Sequence, residues 1–259
     1  MSLFFDPATF WLVATRLSGF LVSVPGVGDF NIPRVVRAAL VLWLTIFLMP
    51  QIPPASAALA NAPDSFFKMV TEFLAGMGLG LITRLILGGV QLGGILIDSE
   101  LGFMAAGQLN PANPISGGIF SRLMMMLGLF YFWSLDYFPL LLMALRESFI
   151  MLPAGTLATG IGDGEHMFRL GAGIFVSGVI LAAPSIALGF CITVAIGFLA
   201  RAVQGINIFF ENFTLKIIVG LIGVLGFLPL LLYLIRVQLE QIIPETSKYF
   251  QGLAAANGL

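Results

Sequence analysis

Residues 66–97 read FFKMVTEFLAGMGLGLITRLILGGVQLGGILI, an apolar run broken only by Lys68, Glu72, Arg84 and a few uncharged polar side chains. A membrane-spanning barrel strand needs ~9–11 residues and alternates apolar with polar positions. This run is about three times that length and shows no sustained alternation, so it is read as helix. At 1.5 Å per residue it reaches ~48 Å, well beyond a hydrocarbon core of ~30 Å. The fold therefore has a long helix that an ordinary crossing does not use up.

Working outward, runs of the same character cover roughly 10–24, 35–49, 123–152, 168–200 and 215–235. With 66–97 they make about six long hydrophobic segments and predict an all-α membrane protein. Composition agrees, because 59% of the 259 residues are hydrophobic and only 10% charged, against roughly 25% charge in soluble domains. The mean hydropathy is +1.03. Turn signals bound the runs: Asp6-Pro7 opens the first, Pro25-Gly26 closes it, Pro50 to Pro54 ends the second, and Asp64-Ser65 precedes the third. The first two are shorter than the ~20 residues of a bilayer crossing. Pro139 and Pro184 interrupt the fourth and fifth, which makes them bent helices or two-part hairpins rather than straight rods.

The 12 basic and 13 acidic residues nearly cancel, so nothing steers a polyanion and no nucleic-acid partner is expected. Six crossings would put Arg34, Arg37, Arg122, Arg201 and Lys216 on one side and Lys68, Arg146, Arg169, Arg236 and Lys248 on the other. That tie gives no positive-inside bias, and makes final placement dependent on partner subunits. Arg16 and Arg84 fall inside apolar runs. A charge at membrane depth costs a few kcal/mol, so unless it snorkels it must face protein or water, with Glu72, Asp98 or Glu100 as candidate partners in this chain or another. Arg16, Arg84, Asp98 and Glu100 are thus the candidate buried charges.

Small residues four apart in Gly76-Met-Gly78-Leu-Gly80 and Gly88-Gly89-Val-Gln-Leu-Gly93-Gly94 predict closely packed helices. The N-terminus lacks a basic region and a small-x-small cleavage site before Pro25, so it is expected to stay uncleaved. No repeat or low-complexity linker divides the chain, which is read as one helical domain.

Two polar stretches stand apart. Between apolar runs, Arg201-Ala-Val-Gln-Gly-Ile-Asn-Ile-Phe-Phe-Glu-Asn-Phe-Thr-Leu-Lys216 intersperses polar groups with aromatic ones, as a protein-contacting linker does. Its candidate subunit-contact residues are Arg201, Gln204, Asn207, Phe209, Glu211, Phe213 and Lys216. Over 103–118, Gly107, Asn110-Pro111, Asn113-Pro114 and Gly117-Gly118 break helix at membrane-like depth, where irregular backbone must line a cavity or be buried in protein. Met124-Met-Met126 follows, either as core or as a flexible thioether seal.

In order along the chain, Arg16-Leu-Ser-Gly-Phe-Leu-Val-Ser-Val-Pro25, Ile32-Pro33-Arg34-Val-Val-Arg37-Ala-Ala-Leu40, Gly102-Phe-Met-Ala-Ala-Gly-Gln-Leu-Asn110-Pro111, Ser148-Phe-Ile-Met-Leu-Pro153 and the 201–216 linker resemble the FliR/SctT family of export-gate proteins. The resemblance covers nearly the whole chain. It departs at Val203, Asn212 and Thr214, where the family favours prolines and a glycine, at Tyr137-Phe138, where Gly-His is frequent, and at Ile95, where an acidic residue is frequent. The resemblance implies a single integral membrane domain over 1–259, FliP-like to about 160 and FliQ-like from about 161. It further implies assembly with FliP-like and FliQ-like subunits into a helical export gate of the bacterial inner membrane and flagellar basal body, near FlhB-like and FlhA-like export proteins. Unfolded flagellar subunits pass through such a gate under the proton motive force. The 103–118 loop would then help plug it, with Phe103, Met104, Gly107, Gln108, Leu109, Asn110 and Pro111 at the constriction. A gate of this kind also accounts for mismatched helix lengths and the charge tie, since neighbouring subunits satisfy the polar groups.

Chemistry points away from an enzyme. His166 beside Asp163 and Glu165 has no evident nucleophile and reads as a solvated loop histidine. With one histidine and one cysteine, Cys191, no metal site of several such ligands is expected, and no cofactor or catalytic residue is assigned. Two other readings stay open: an injectisome rather than a flagellar gate, and a secondary transporter with an ion and substrate site between broken helices.

Overall fold

The computed structural model describes residues 7–28, 32–53, 65–104, 118–157, 164–202 and 208–258. Its α-helices are α1 (Pro7–Ser23), α2 (Arg34–Leu48, continued by a 3-10 turn at Met49–Gln51), α3 (Ser65–Glu100), α4 (Ile119–Ser134), α5 (Tyr137–Met151), α6 (Gly164–Ala202), α7 (Ile208–Leu239) and α8 (Ile242–Ala256). Among the described residues, four helical stretches are long and apolar enough to cross a membrane, or five if α4 and α5 count as one broken span. The protein is an all-α membrane protein.

Several boundaries differ from the sequence reading for identifiable reasons. The 123–152 run breaks at Leu135 and Asp136, not at Pro139; Asp136 takes φ 55, a left-handed conformation that the short polar Asp tolerates better than most. Pro139 sits in the first turn of α5, where a missing N–H costs nothing. Pro184 lies inside α6 and Pro229 inside α7 without ending either helix. Most of the expected 201–216 linker is helical, because α6 runs through Ala202 and α7 begins at Ile208 with no Gly or Pro to stop it before Lys216. Finally, α8 lies beyond the last apolar run. It escapes a search for apolar length because only one stripe is buried, formed by Ile242, Thr246, Tyr249, Phe250 and Leu253.

The chain divides into two compact units, Met1–Ile86 with Phe132–Gly171 and Glu240–Leu259, and Leu87–Tyr131 with Ala172–Leu239. In the first, α1 supplies Val13, Leu17, Phe20 and Leu21, α3 supplies Ala75, Leu79 and Ile82, and α5 supplies Leu141, Leu145 and Phe149, all without exposed surface. Glycine sets how closely α1 and α3 approach. A Cβ on Gly76 would collide with the Arg16 carbonyl, one on Gly19 with the Phe73 carbonyl, and one on Gly80 with the Ser23 hydroxyl. Ser23 Oγ uses that approach to donate to the Met77 carbonyl at 3.0 Å. Gly78, on another face, leaves room for the Tyr249 ring of α8, whose hydroxyl reaches the Ala75 carbonyl at 3.4 Å. The expected dense packing is therefore present, with adjacent glycines serving different neighbours.

The second unit repeats the device. Gly93 faces Leu181 of α6, Gly178 of α6 faces Leu92, and Gly94 admits the backbone of Phe120 and Ser121 in α4. Among the described residues, no neighbouring atom lies within 4 Å of where a Cβ on Gly88 would stand. Gln238 of α7 donates through Nε2 to the Ser177 carbonyl of α6 at 3.1 Å.

Candidate functional site

Two charged constellations are built on this frame. In the first unit, Arg16 of α1 and Glu72 of α3 are fully buried, with Nε donating to Oε2 at 2.5 Å. The other two guanidinium nitrogens each donate as well, Nη1 to Ser148 Oγ and Nη2 to the Leu152 carbonyl, each at 3.1 Å. The guanidinium carbon stands 4.0 Å from the centre of the Phe149 ring, a cation–π arrangement. Glu72 Oε1 accepts the Gly155 N–H at 2.8 Å. Gly155 has φ 83, a left-handed conformation that favours glycine, and its amide reaches the carboxylate from there. A charge taken from water demands this degree of satisfaction. The network joins two segments far apart in sequence, 16–25 and 148–153, which the sequence reading had noted only as separate motifs.

In the second unit, α3 ends in two carboxylates. A helix C-terminus repels negative charge, so Asp98 and Glu100 are at the unfavourable end and each finds a partner elsewhere. Asp98 is fully buried, and its two oxygens accept the N–H groups of Phe120 at 3.0 Å and Ser121 at 2.8 Å, the first donors of α4. It caps a helix that begins after the 105–117 stretch, and Gly118 is needed there because a Cβ would overlap the carboxylate. Phe103 packs edge-on against Phe120 with ring centres 5.4 Å apart. The chain thus leaves α3 and re-enters at α4 at one pinned root. Glu100 accepts from Lys216 Nζ of α7 at 2.8 Å, both half-buried.

Phe103 is half-buried and Met104 exposed at this root, while Gly107, Gln108, Leu109, Asn110 and Pro111 lie outside the described residues. Of the linker residues, Arg201 is exposed and, with Val194, Gly197 and Phe198, lines an open cavity of about 270 Å³. Lys216 finds its carboxylate in its own chain. Phe209, Glu211 and Phe213 belong to α7, but their side chains, like Gln204 and Asn207 as a whole, lie outside what is described. Arg84 occupies an exposed position of α3, on the uncovered stripe that includes Leu81 and Gln91, rather than a buried one. Met124 is core and Met126 exposed. His166 is not in a loop: it stands in the first turn of α6, half-buried, with Nε2 3.5 Å from the Glu245 carboxylate of α8. The start of α6 at Gly164, immediately after the Gly-rich stretch, places it there.

Sequence reasoning had Glu72 among the candidate partners of Arg16 but missed the rest of the network, since Ser148 and the Leu152 carbonyl, which take Arg16, and the Gly155 amide, which Glu72 accepts, carry no sign of their use. Asp98 and Glu100 did carry one: two acids in the last turn of a long helix.

Residues 8–242 match the family described as bacterial export proteins, family 1. The chain belongs to that family. Among relatives of this export protein, the flagellar biosynthetic protein FliR of Bacillus subtilis is 27% identical over 232 residues, 88% of each chain. The Escherichia coli FliR is 26% identical over 225 residues, covering 86% of this chain and 84% of that one. FliR of Caulobacter vibrioides is 28% identical over 218 residues, covering 81% and 84%. All of α1 after Pro7, with Arg16, and the whole α3 to α7 stretch of this export protein fall within the matched family region.

Proposed function

We propose that this chain is a subunit of the flagellar type III protein export gate, forming with FliP-like and FliQ-like subunits the channel through which unfolded flagellar subunits cross the bacterial inner membrane at the flagellar basal body. The observation that carries the reading is the match over nearly the whole chain to proteins named for flagellar biosynthesis; those names also favour a flagellum over an injectisome. The fold supports it physically. Along α6, Phe168, Phe175, Phe190 and Phe198 are all exposed, and thirty residues of helix span ~45 Å, more than a ~30 Å hydrocarbon core covers. Lipid alone leaves part of that stripe in water, whereas neighbouring subunits and lipid together bury it. FlhB-like and FlhA-like proteins are the further partners of such a gate. The FliP-like part runs to about residue 160 and the FliQ-like part from about 161.

In this reading the 103–118 segment contributes to the closed constriction, which is supported by Asp98, near the end of α3, accepting the first N–H groups of α4 where the chain resumes. Mild-detergent purification of a tagged chain should retain FliP-like and FliQ-like proteins, and deleting 107–113 should leave assembly intact while making the gate leaky to ions. A stable monomer that carries a small solute by itself in liposomes would show a secondary transporter instead. A deletion variant that assembles, exports and stays tight removes the constriction from the proposal.

A further inference from the structure

Along α5, Leu140, Met143, Glu147 and Ile150 are left uncovered by the chain. They stand three, four and three residues apart, the a and d spacing of a helix-packing seam. The opposite face, with Leu141, Leu145, Ser148 and Phe149, is the one buried in the first unit. Arg146 occupies the g position beside Glu147, where packed helices exchange salt bridges. It is half-buried, and its Nε is covered by the chain itself without an acceptor among the described residues. Carboxylates of the same unit serve other cations: Glu72 takes Arg16, Glu165 takes Arg169 and Glu245 takes Lys248. Asp136 stands ten residues away, about 15 Å along the helix, and Glu147, as the adjacent position, points about 100° aside.

A covered guanidinium nitrogen without an acceptor is costly, and ionisable residues within apolar spans face protein rather than hydrocarbon. With α4, α5 forms the broken span, so both conditions meet at Arg146. A lipid phosphate answers Arg146 but is repelled by Glu147 one position on, and lipid has no use for a seven-residue repeat. A second helix answers both charges and the spacing. We propose that this face of α5 docks an apolar helix of a neighbouring gate subunit, one that brings a carboxylate to Arg146 and a hydrogen-bond donor or cation to Glu147. That such a neighbour is present rests on the export-gate reading above; the face it meets and the charges it carries come from α5.

The test uses the full chain purified with its accompanying subunits and carrying a photo-crosslinking amino acid in place of Met143, at the centre of the seam. Irradiation should join it to a FliP-like or FliQ-like subunit, at a helical segment that contains an Asp or Glu. Arg146→Gln breaks no ion pair among the described residues, so the yield of inserted chain should match the parent. Dissociation of the crosslinked subunit in dilute detergent should nevertheless quicken by about thirtyfold or more, because its carboxylate is left buried without a counter-charge. Arg146→Lys keeps the charge and should fall between. Arg146→Glu should dissociate faster still, and reversing the carboxylate of the crosslinked segment to arginine should restore retention. Crosslinks formed only to lipid or within the chain overturn the docking face and leave the export gate standing, as does dissociation of Arg146→Gln at the parental rate. Loss of the inserted chain in Arg146→Gln overturns it too, by showing that the arginine serves its own fold. A parent chain that retains neither a FliP-like nor a FliQ-like subunit overturns the gate reading, and the docking face with it.

Discussion

Replacing Glu72 tests whether the buried Arg16 network holds the first unit together. The carboxylate takes Nε of Arg16 on one oxygen and the Gly155 amide on the other, with no exposed surface on either charged partner. Removing one member of such a pair leaves a buried guanidinium without its counter-charge, a loss of about 3–5 kcal/mol. Glutamine keeps a neutral oxygen for one of the two donors and should sit near the lower limit, whereas alanine opens a hole as well and should sit near the upper. At about 1.4 kcal/mol per tenfold, these changes lower the folded fraction relative to unfolded by roughly a hundred- to several thousand-fold. Ser148→Ala removes a single acceptor from Nη1 and should cost only about 1 kcal/mol. Arg16→Met with Glu72→Leu replaces the pair by apolar groups of similar size and should recover most of the single-variant loss, because the desolvation of two charges disappears with them. The assay is thermal unfolding of the detergent-solubilised chain, followed by the fluorescence of Trp11, Trp43 and Trp133, together with the yield of monodisperse protein. The order expected is Glu72→Ala below Glu72→Gln below Ser148→Ala. Glu72→Gln melting with the parent, or the double apolar variant melting below both singles, would falsify the assignment of the network as the dominant buried interaction.

Gly76→Ala should lower stability by about 1–3 kcal/mol, because its methyl collides with the Arg16 carbonyl and drives α1 from α3. Gly88→Ala, which meets no neighbouring atom within 4 Å among the described residues, should instead be neutral or gain up to about 1 kcal/mol from helix propensity, and thermal unfolding distinguishes the two. Asp98→Ala should cost about 1–2 kcal/mol through the lost acceptors at the start of α4, with Asp98→Asn nearer the parent; the readout is hydrogen exchange at the Phe120 and Ser121 amides, which should quicken in the alanine variant. Breaking the exposed Glu165–Arg169 pair by Arg169→Gln should change the melting free energy by no more than about 0.5 kcal/mol.

Apolar length and composition by themselves determined that this is a helical membrane protein and placed most of its helices within a few residues, because a hydrocarbon-facing helix writes its burial into nearly every position. Residues 66–97 read as one helix and are one, running Ser65–Glu100. The spacing of Gly76, Gly78 and Gly80 announced close packing, since only glycine allows backbones to approach so far, but not that Gly76 and Gly80 face α1 while Gly78 faces α8. A helix buried on one stripe only, α8, was legible in its spacing and hidden from a search for length. Partnership was what only tertiary structure decided. Arg16 had Glu72, Asp98 and Glu100 as candidates, and sequence order carries no distance between residues 56 positions apart; the approach of α1 to α3 selects Glu72 and brings Ser148 and Gly155 with it. Likewise, two acids at the end of α3 signal a need for positive partners, but whether a partner is an amide, a lysine or another chain depends on which helices arrive there. The packing of α4 and α7 against that end gives backbone N–H groups to Asp98 and Lys216 to Glu100.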